Sequence, residues 1–161
     1  MTVLRWHNNS DPRLRNSRDC IDGHQRRVAV LVHELCALIG HPLHDSDLVR
    51  WALVHDEAER ITGDVPGPAK RRWPKLAAAL EDAEREARRD LGIAEPNLSA
   101  REQRIFKLCD ALDAFLWAHA CQATHTIDWQ AEMVRLQAMA AGIDARAVEW
   151  AREYQERETT P

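Results

Sequence analysis

The sequence has few of the residues that interrupt regular structure, with six glycines and seven prolines among 161 residues. A turn-rich all-β fold or a disordered chain needs more of both, so we expect neither. Long apolar runs are also missing. Because no window approaches about 18 uninterrupted apolar residues, we expect no membrane-spanning helix. The first ten residues lack an apolar signal core, which argues against secretion and favours a cytoplasmic protein.

An excess of basic residues is absent as well. Lys and Arg number 22 against 26 Asp and Glu, and the formal net charge is −4. Bulk binding to DNA or to an anionic membrane surface requires a basic excess, so we expect neither. The four cysteines include no Cys-x-x-Cys pair, which indicates reduced cysteines in helices rather than a zinc site or a disulfide. The eight histidines, by contrast, are many for this length, and histidine is the commonest metal ligand.

Apolar residues recur at three- and four-residue steps along most of the chain, and no strand-like alternation is present. Gly40 ends the first long helix, the segment Gly63 to Pro68 ends the second, and Ser99-x-x-Glu102 is a capping box that begins a later one. The predicted helices lie near residues 22–40, 48–62, 74–91, 99–122, 129–141 and 145–156. This pattern predicts an all-α bundle of about five to six helices. We expect a single domain over residues 1–161, with the helical core at about 22–156.

The stretch 55–70 combines the groups that phosphoester hydrolysis needs. His55 and Asp56 can reach one ion if their segment faces a cleft, and Glu59 lies one helical turn later on the same face. Asp64 follows the predicted helix, and Lys70 follows a rigid Pro-Gly-Pro turn. A metal ion would polarise the phosphoryl oxygen and lower the pKa of water, a carboxylate would move the proton, and the lysine would hold the phosphate charge.

Two ligands hold a divalent ion poorly, and two other residues are candidates to complete the site. His24 opens the first long helix. Asp110 interrupts an apolar helical stripe, where an unpaired charge costs several kcal/mol and a metal ion would be a suitable partner. Asp113, three residues later, either supports a ligand or forms a cap or a salt bridge.

The order His … His-Asp … Asp resembles the HD-domain metal-dependent phosphohydrolases, an all-helical superfamily. The likeness is closest to the small bacterial 5′-deoxynucleotidases and the related phage deoxynucleoside triphosphohydrolases, and it covers roughly residues 5–116. The residues that carry it are Arg5-Trp6, His24, His55-Asp56, Glu59, Thr62-Gly63-Asp64-Val65-Pro66, Lys70 and Asp110. A His-Asp pair alone is weak, whereas His-Asp-x-x-Glu followed by Thr-Gly-Asp-x-Pro at this spacing is specific.

The resemblance implies a role for each of these residues. One divalent transition metal ion (Co, Mn, Zn or Fe, with Mg as a further option) would be held by His24, His55, Asp56 and Asp110. Glu59 would be the catalytic carboxylate, and Asp64 would lie near the attacking water or the sugar. Arg5, Trp6 and Lys70 would bind the substrate, with the indole excluding a ribose hydroxyl at C2′.

These expectations describe a 5′-deoxynucleotidase that releases phosphate from deoxynucleoside 5′-monophosphates. The same residues could instead release triphosphate from a deoxynucleoside triphosphate, and a non-catalytic nucleotide-binding helical domain is a second alternative. The implied partner is a deoxynucleotide, and apolar tryptophans on outer helices predict a homo-oligomer. Two departures from the bacterial enzymes stand out. Gly23-His24-Gln25 replaces their Glu-His-Ser type sequence, and the segment from Arg5-Trp6 to His24 is longer.

Overall fold

Helices account for all the regular elements in the part of the chain that the computed structural model describes, residues 3–43, 47–65, 67–123 and 129–159. In chain order these are α1 (Pro12–Arg15), α2 (Ile21–Ile39), α3 (Asp47–Ala52), α4 (Glu59–Thr62), α5 (Gly67–Arg72), α6 (Pro74–Asp90), α7 (Ala100–Ala120), α8 (Trp129–Ala141) and α9 (Ala145–Thr159). Strand-like pairing within these ranges is limited to an isolated bridge between Leu4 and Cys20. The predicted all-α class is confirmed.

The long helices begin and end where the sequence signals predict. Gly40 follows α2 with a left-handed backbone (φ 67°), a conformation that glycine adopts without steric cost. The capping box of α7 is complete, because the Glu102 N–H donates to Ser99 Oγ at 3.3 Å and the Ser99 N–H donates to Glu102 Oε2 at 2.8 Å. Five helices of 13 or more residues result, which matches the expected bundle.

The structure differs from the sequence-based prediction in the short elements. The single helix expected over residues 48–62 is two helices, α3 and α4, separated by turns at residues 53–58. A one-turn helix, α1, lies before the expected helical core, where no helix was predicted. Gly67 and Pro68, expected in a rigid turn, begin α5, because the first turn of a helix leaves N–H groups unbonded and tolerates proline. Pro66 of the sequence motif lies outside the described residues.

The core lies where α2 and α7 pack against each other and against α8 and α9. It consists almost entirely of aliphatic and small side chains with little or no exposure, together with Phe115 and Trp150. Trp150 is only 8% exposed and belongs to this core. The two helices at its centre also carry His24 and Asp110, so two of the expected ligands sit on its best-packed elements.

Helix α6 lies at the periphery, against α4 and α5. Only Ala87 and Arg88 of its 17 residues are buried. Trp73 and Leu76 at its beginning are 54% and 43% exposed, and its charged residues pair along the helix, as Arg85 does with Asp82 at 2.8 Å. No helix within the described ranges is both long and apolar enough to cross a membrane.

Residues 3–20, which we call the N-terminal arm, form a loop that precedes α2 and whose two ends pair with each other. The Arg5 N–H donates to the Asp19 carbonyl at 2.9 Å, and the Ile21 N–H donates to the Val3 carbonyl at 3.1 Å. Leu14 is fully buried in the core. The arm is therefore fixed at both of its ends and in its middle.

Candidate metal centre

The turns between α3 and α4 bring two adjacent side chains to one point. On a regular helix, neighbouring residues diverge by about 100°, but residues 53–58 are irregular, so His55 and Asp56 face the same site. The buried side chain of Gln25 holds these turns from α2. With its amide oxygen toward the N–H groups of Asp56 and Glu57 (3.2 and 3.3 Å), its nitrogen donates to the Leu53 carbonyl at 3.1 Å. Sequence reasoning did not identify Gln25, although it follows His24 directly.

The four expected ligands converge. His24 Nε2 lies 3.1 Å from Asp110 Oδ1, 3.5 Å from Asp56 Oδ2 and 3.3 Å from His55 Nε2. His55 Nε2 lies 3.3 Å from Asp56 Oδ1 and 3.8 Å from Asp110 Oδ1. Ligand atoms around an ion with bonds of about 2.1 Å are separated by about 3.0–3.4 Å, close to these distances. His24, His55 and Asp110 form a group whose ligand atoms all lie within 4.8 Å of one another.

The orientation of both imidazoles favours a cation at this point. His24 Nδ1 lies 2.7 Å from Asp113 Oδ2, and His55 Nδ1 lies 3.0 Å from the Ala52 carbonyl. Because those oxygens only accept, each Nδ1 carries a proton, and each neutral ring presents an unprotonated Nε2 to the site. Two imidazole lone pairs and two carboxylates then face one another without a donor. Such a set requires a proton or a metal ion among its members.

The electrostatics show the proton taking that place when no metal is bound. Burial would lower the pKa of His24, but hydrogen bonds to Asp110 and Asp113 outweigh burial and raise it to about 9. Burial would raise the pKa of Asp110 and of Asp113. The hydrogen bond with His24 reverses the shift in both, and in Asp113 a bond from Arg27 adds to it. Asp113, for which the sequence left support or a salt bridge open, does both.

Glu59, at the beginning of α4, lies beside this cluster and is only 7% exposed. Lys70 Nζ is 3.8 Å from Glu59 Oε1 and 3.6 Å from Glu84 Oε1, while Glu59 Oε2 has no hydrogen-bond partner among the described residues. Burial, together with the charges of Asp56 and Asp64, raises the pKa of Glu59 to about 9. This carboxyl group is therefore a proton-holding group next to the candidate metal ligands.

Arg5 and Trp6 of the arm lie beside the candidate metal ligands and Glu59. The Trp6 N–H donates to Asp64 Oδ2 at 3.1 Å, which joins the arm to the loop after α4. Trp6 has a left-handed backbone (φ 63°), unusual outside glycine, and the Asn9 N–H donates to its carbonyl at 2.7 Å. The expected catalytic residue Asp64 thus also fixes the backbone of Trp6, a contact that the sequence did not predict.

A cavity of about 380 Å³ connects these groups. Its lining includes expected residues, namely Arg5, Trp6, Asp56, Glu59, Asp64, Lys70 and Asp110. It also includes residues that the sequence analysis did not identify, namely Asn9, Arg71, Lys107, Ala111, Ala114, Phe115, Glu132, Arg135 and Met139. Lys107 and Ala114 of α7 lie three and four positions from Asp110 and could have been found by helical spacing. Those from α8 depend on how α8 packs on α7 and gave no such signal.

Comparisons with known proteins identify the family of the chain. The model of the 5′-deoxynucleotidase YfbR-like family matches residues 2–154.

The dATP triphosphohydrolase of Cyanophage S-2L is 31% identical over 112 residues, which cover 65% of this chain and 63% of that protein. A 5′-deoxynucleotidase of Klebsiella pneumoniae (strain 342) is 31% identical over 133 residues, and the 5′-deoxynucleotidase YfbR of Salmonella arizonae is 30% identical over 133 residues. Both of these matches cover 71% of this chain and 64% of the relative. The chain therefore spans less than two thirds of the length of these relatives. No solved structure matches.

Proposed function

Since the chain belongs to the 5′-deoxynucleotidase YfbR-like family, we propose that it is a metal-dependent phosphohydrolase that releases phosphate from deoxynucleoside 5′-monophosphates. One observation carries the proposal. The ligand atoms of His24, His55, Asp56 and Asp110 converge at the edge of a cavity that also holds a buried carboxyl group and basic side chains. This is the set of groups that phosphoester hydrolysis requires.

The proposed cofactor is one divalent ion held by two imidazoles and two carboxylates. Mixed nitrogen and oxygen ligands suit Mn, Fe, Co or Zn, while Mg prefers oxygen alone and is the less suitable option. When bound, the ion supplies a Lewis acid for the phosphoryl oxygen and lowers the pKa of water.

Glu59 is the proposed acid–base residue. When the Glu59 carboxyl group is ionised, its Oε2, which has no hydrogen-bond partner among the described residues, can accept a proton from the attacking water. Burial beside Asp56 and Asp64 raises the pKa of Glu59 and so makes its carboxylate a stronger base for that step. Lys70, between Glu59 and Glu84, lies where it can offset the charge that develops on the phosphate. Asp64 holds the Trp6 backbone and stands beside the same cavity, so its proposed role combines positioning with contact to water or sugar.

The charge of the cavity lining favours a monophosphate. Among the described residues, five basic and five acidic side chains line it, so the lining is formally neutral when every carboxyl group is ionised, as in the form of Glu59 that can accept a proton. A divalent ion would give the cavity a charge of about +2, which matches the dianion of a phosphate monoester above its second pKa of about 6. The tetraanion of a triphosphate would exceed it.

At the sugar end, Trp6 is the proposed determinant of selectivity. Its ring is half-buried and lines the cavity, and its Nε1–H is already satisfied by Asp19 Oδ2 at 3.1 Å. An indole placed against C2′ would reject a ribose hydroxyl by steric exclusion, without any hydrogen bond.

A second candidate function is release of triphosphate from a deoxynucleoside triphosphate. The observation that favours it is the similarity to the cyanophage protein named dATP triphosphohydrolase. Both reactions cleave the bond between the 5′ oxygen and the α-phosphorus, and they differ in whether two further phosphate groups are attached to it. The lining residues Arg71 and Lys107 are available for those additional groups.

One experiment separates these functions. The protein is incubated with deoxy- and ribonucleoside mono- and triphosphates in the presence of Mn, Co, Zn, Fe or Mg, and phosphate, pyrophosphate and triphosphate are measured separately. Phosphate from deoxynucleoside monophosphates, abolished in Glu59→Gln, supports the proposal. Triphosphate release supports the second candidate. Nucleotide binding without any product would indicate a non-catalytic nucleotide-binding domain.

We propose further that the protein forms a homo-oligomer through the outer face of α2. Val30, midway along this helix, is 50% exposed and lies between two shallow apolar depressions, both of which it lines together with Arg26. If two copies cross antiparallel at Val30, Arg26 faces the partner's Glu34, because these residues lie four positions before and after it. Sedimentation of Val30→Glu should show a monomer, whereas Val134→Glu, at a 63% exposed position on α8, should leave the assembly intact. A monomeric wild-type protein would contradict this surface.

The proposed location is the cytoplasm, where deoxynucleotides are made and consumed.

A further inference from the structure

Asp19, the last acidic residue of the arm, binds two of the three proposed substrate-binding side chains, Arg5 and Trp6. Its Oδ2 accepts hydrogen bonds from Arg5 Nη1 at 3.2 Å and from Trp6 Nε1 at 3.1 Å. Its Oδ1 accepts a third bond, from Arg27 Nη2 at 2.9 Å. The Asp19 side chain is 1% exposed, so its charge depends on these donors. It therefore fixes the position of the substrate-binding pair relative to α2.

Arg27 continues from Asp19 to the candidate metal centre. Its Nε donates to Asp113 Oδ1 at 2.6 Å and its Nη2 to Asp113 Oδ2 at 3.0 Å, and that Oδ2 also binds His24 Nδ1 at 2.7 Å. One guanidinium thus spans two buried carboxylates. The first carboxylate holds the substrate-binding pair, and the second orients a metal ligand.

The position of this guanidinium is itself constrained. Its carbon lies 4.4 Å from the centroid of the Trp117 ring, a stacking distance, and Trp117 Nε1 donates to Ser17 Oγ of the arm at 3.0 Å. A planar fork that stacks on one side and binds carboxylates at two edges is specific to arginine. A lysine would keep the charge and lose this geometry.

We propose that Asp19 and Arg27 are positioning residues that hold the N-terminal arm at a fixed distance from the metal ligand His24. Through them, substrate binding at the arm and metal binding at His24 depend on each other. This inference rests on the proposed function for its substrate side and on the ligand geometry alone for its metal side. Neither residue contacts the reacting atoms.

The test compares Arg27→Lys with Arg89→Lys, a matched control in which the same change is made at an exposed position on α6. Titration with Co²⁺, followed by its visible absorption, needs no turnover. We expect Arg27→Lys to weaken Co²⁺ binding about 10–100-fold, the range found when the partner of a ligating histidine is lost, and to alter the spectrum. The KM for the deoxynucleotide should rise about tenfold, with kcat at saturating metal and substrate close to wild type.

A second variant, Asp19→Asn, keeps the shape of the side chain and removes its charge. We expect a larger effect on KM and a smaller one on Co²⁺ binding, because Asp19 binds Arg5 and Trp6 directly. It reaches His24 only indirectly, through Arg27 and Arg5, whose side chains both lie against Asp113. The double variant should lose less than the sum of the single effects, as for residues that act as a unit.

The inference would be overturned if Arg27→Lys matched Arg89→Lys within twofold in both Co²⁺ affinity and KM. If the wild-type protein hydrolysed no nucleotide while Arg27→Lys still weakened Co²⁺ binding, the proposed function would fail and the metal side of the inference would stand. Thermal unfolding of each variant shows whether it is folded at the assay temperature, and the split between KM and kcat is not expected from a general loss of structure.

Discussion

The two sides of the candidate site are built differently. On one side, α2 and α7 lie in the core, and His24 on α2 has no exposed surface. On the other side, α4, α5 and α6 supply Glu59 and Lys70 from elements that bury little, and α6 contributes only two buried residues of 17. Local stability follows the density of buried apolar contacts. The metal ligands of the core are thus held by the fold as a whole, whereas the acid–base residue is held by a less stable region.

This difference separates two requirements of a hydrolase. A coordination set must keep its distances to within a few tenths of an ångström, which suits the most rigid elements of a fold. Groups that handle protons and phosphates must also let substrate enter and product leave. We therefore expect substitutions on the two sides to affect different measurements.

The largest effect is expected from removing one charged group on each side. Asp110→Ala and Glu59→Gln should each lower kcat/KM by about 10²–10⁴-fold, because metal and proton transfer are both needed. Only Asp110→Ala should also lower the metal content of the purified protein, measured by mass spectrometry of the bound ions. A metal-free Glu59→Gln protein would show that the two sides are not independent.

A matched pair of leucine truncations addresses stability. Leu112 on α7 is fully buried, whereas Leu76 on α6 is 43% exposed. Leu112→Ala should lower the free energy of unfolding by about 2–5 kcal/mol and Leu76→Ala by less than about 1 kcal/mol. Urea denaturation of both variants checks the difference, and equal losses would mean that the periphery is as well packed as the core.

The stability of the metal-free protein should fall as the pH rises. Folding raises the pKa of His24 from 6.5 to about 9, so its stabilising contribution is complete below pH 6.5 and is lost as the pH rises through 9. A shift of this size corresponds to roughly 3 kcal/mol. The pKa of Glu59 is raised from 4.5 to about 9, so ionisation of Glu59 also lowers the stability of the folded protein as the pH rises between these two values. Thermal unfolding with a chelator should show this slope between pH 6 and 9, and metal-loaded protein should show a flatter one.

The smallest effect is expected at the sugar end of the cavity. Trp6→Ala should lower the preference for deoxyribonucleotides over ribonucleotides about tenfold, which is about 1.4 kcal/mol, while Trp6→Phe should largely keep it. The measurement is the ratio of kcat/KM for matched monophosphates. An unchanged ratio in Trp6→Ala would remove the proposed role of this indole in selectivity.

The sequence predicted the parts of this molecule that depend on local rules. Apolar periodicity and the Ser99 capping box located the long helices, and the His-Asp-x-x-Glu motif pointed to a family that the comparison confirmed. It could not predict the turns at residues 53–58, because they are held by Gln25 from another helix. The link from Asp19 to Arg27 was likewise missed, since it joins residues whose relation appears only when α2, α7 and the arm are packed together.

The pairing of Leu4 with Cys20 bears on how the length of the chain can vary. The residues between them, including α1, form a loop whose two ends pair with each other at the beginning of α2. This pairing holds Arg5 beside the beginning of that helix. Extending such an excursion costs little, about 0.6 kcal/mol for each doubling of a flexible loop. We expect insertions in the exposed part of this segment, away from the buried Leu14, to leave the distance between Arg5 and His24 unchanged. A longer segment between Arg5-Trp6 and His24 is compatible with such a site.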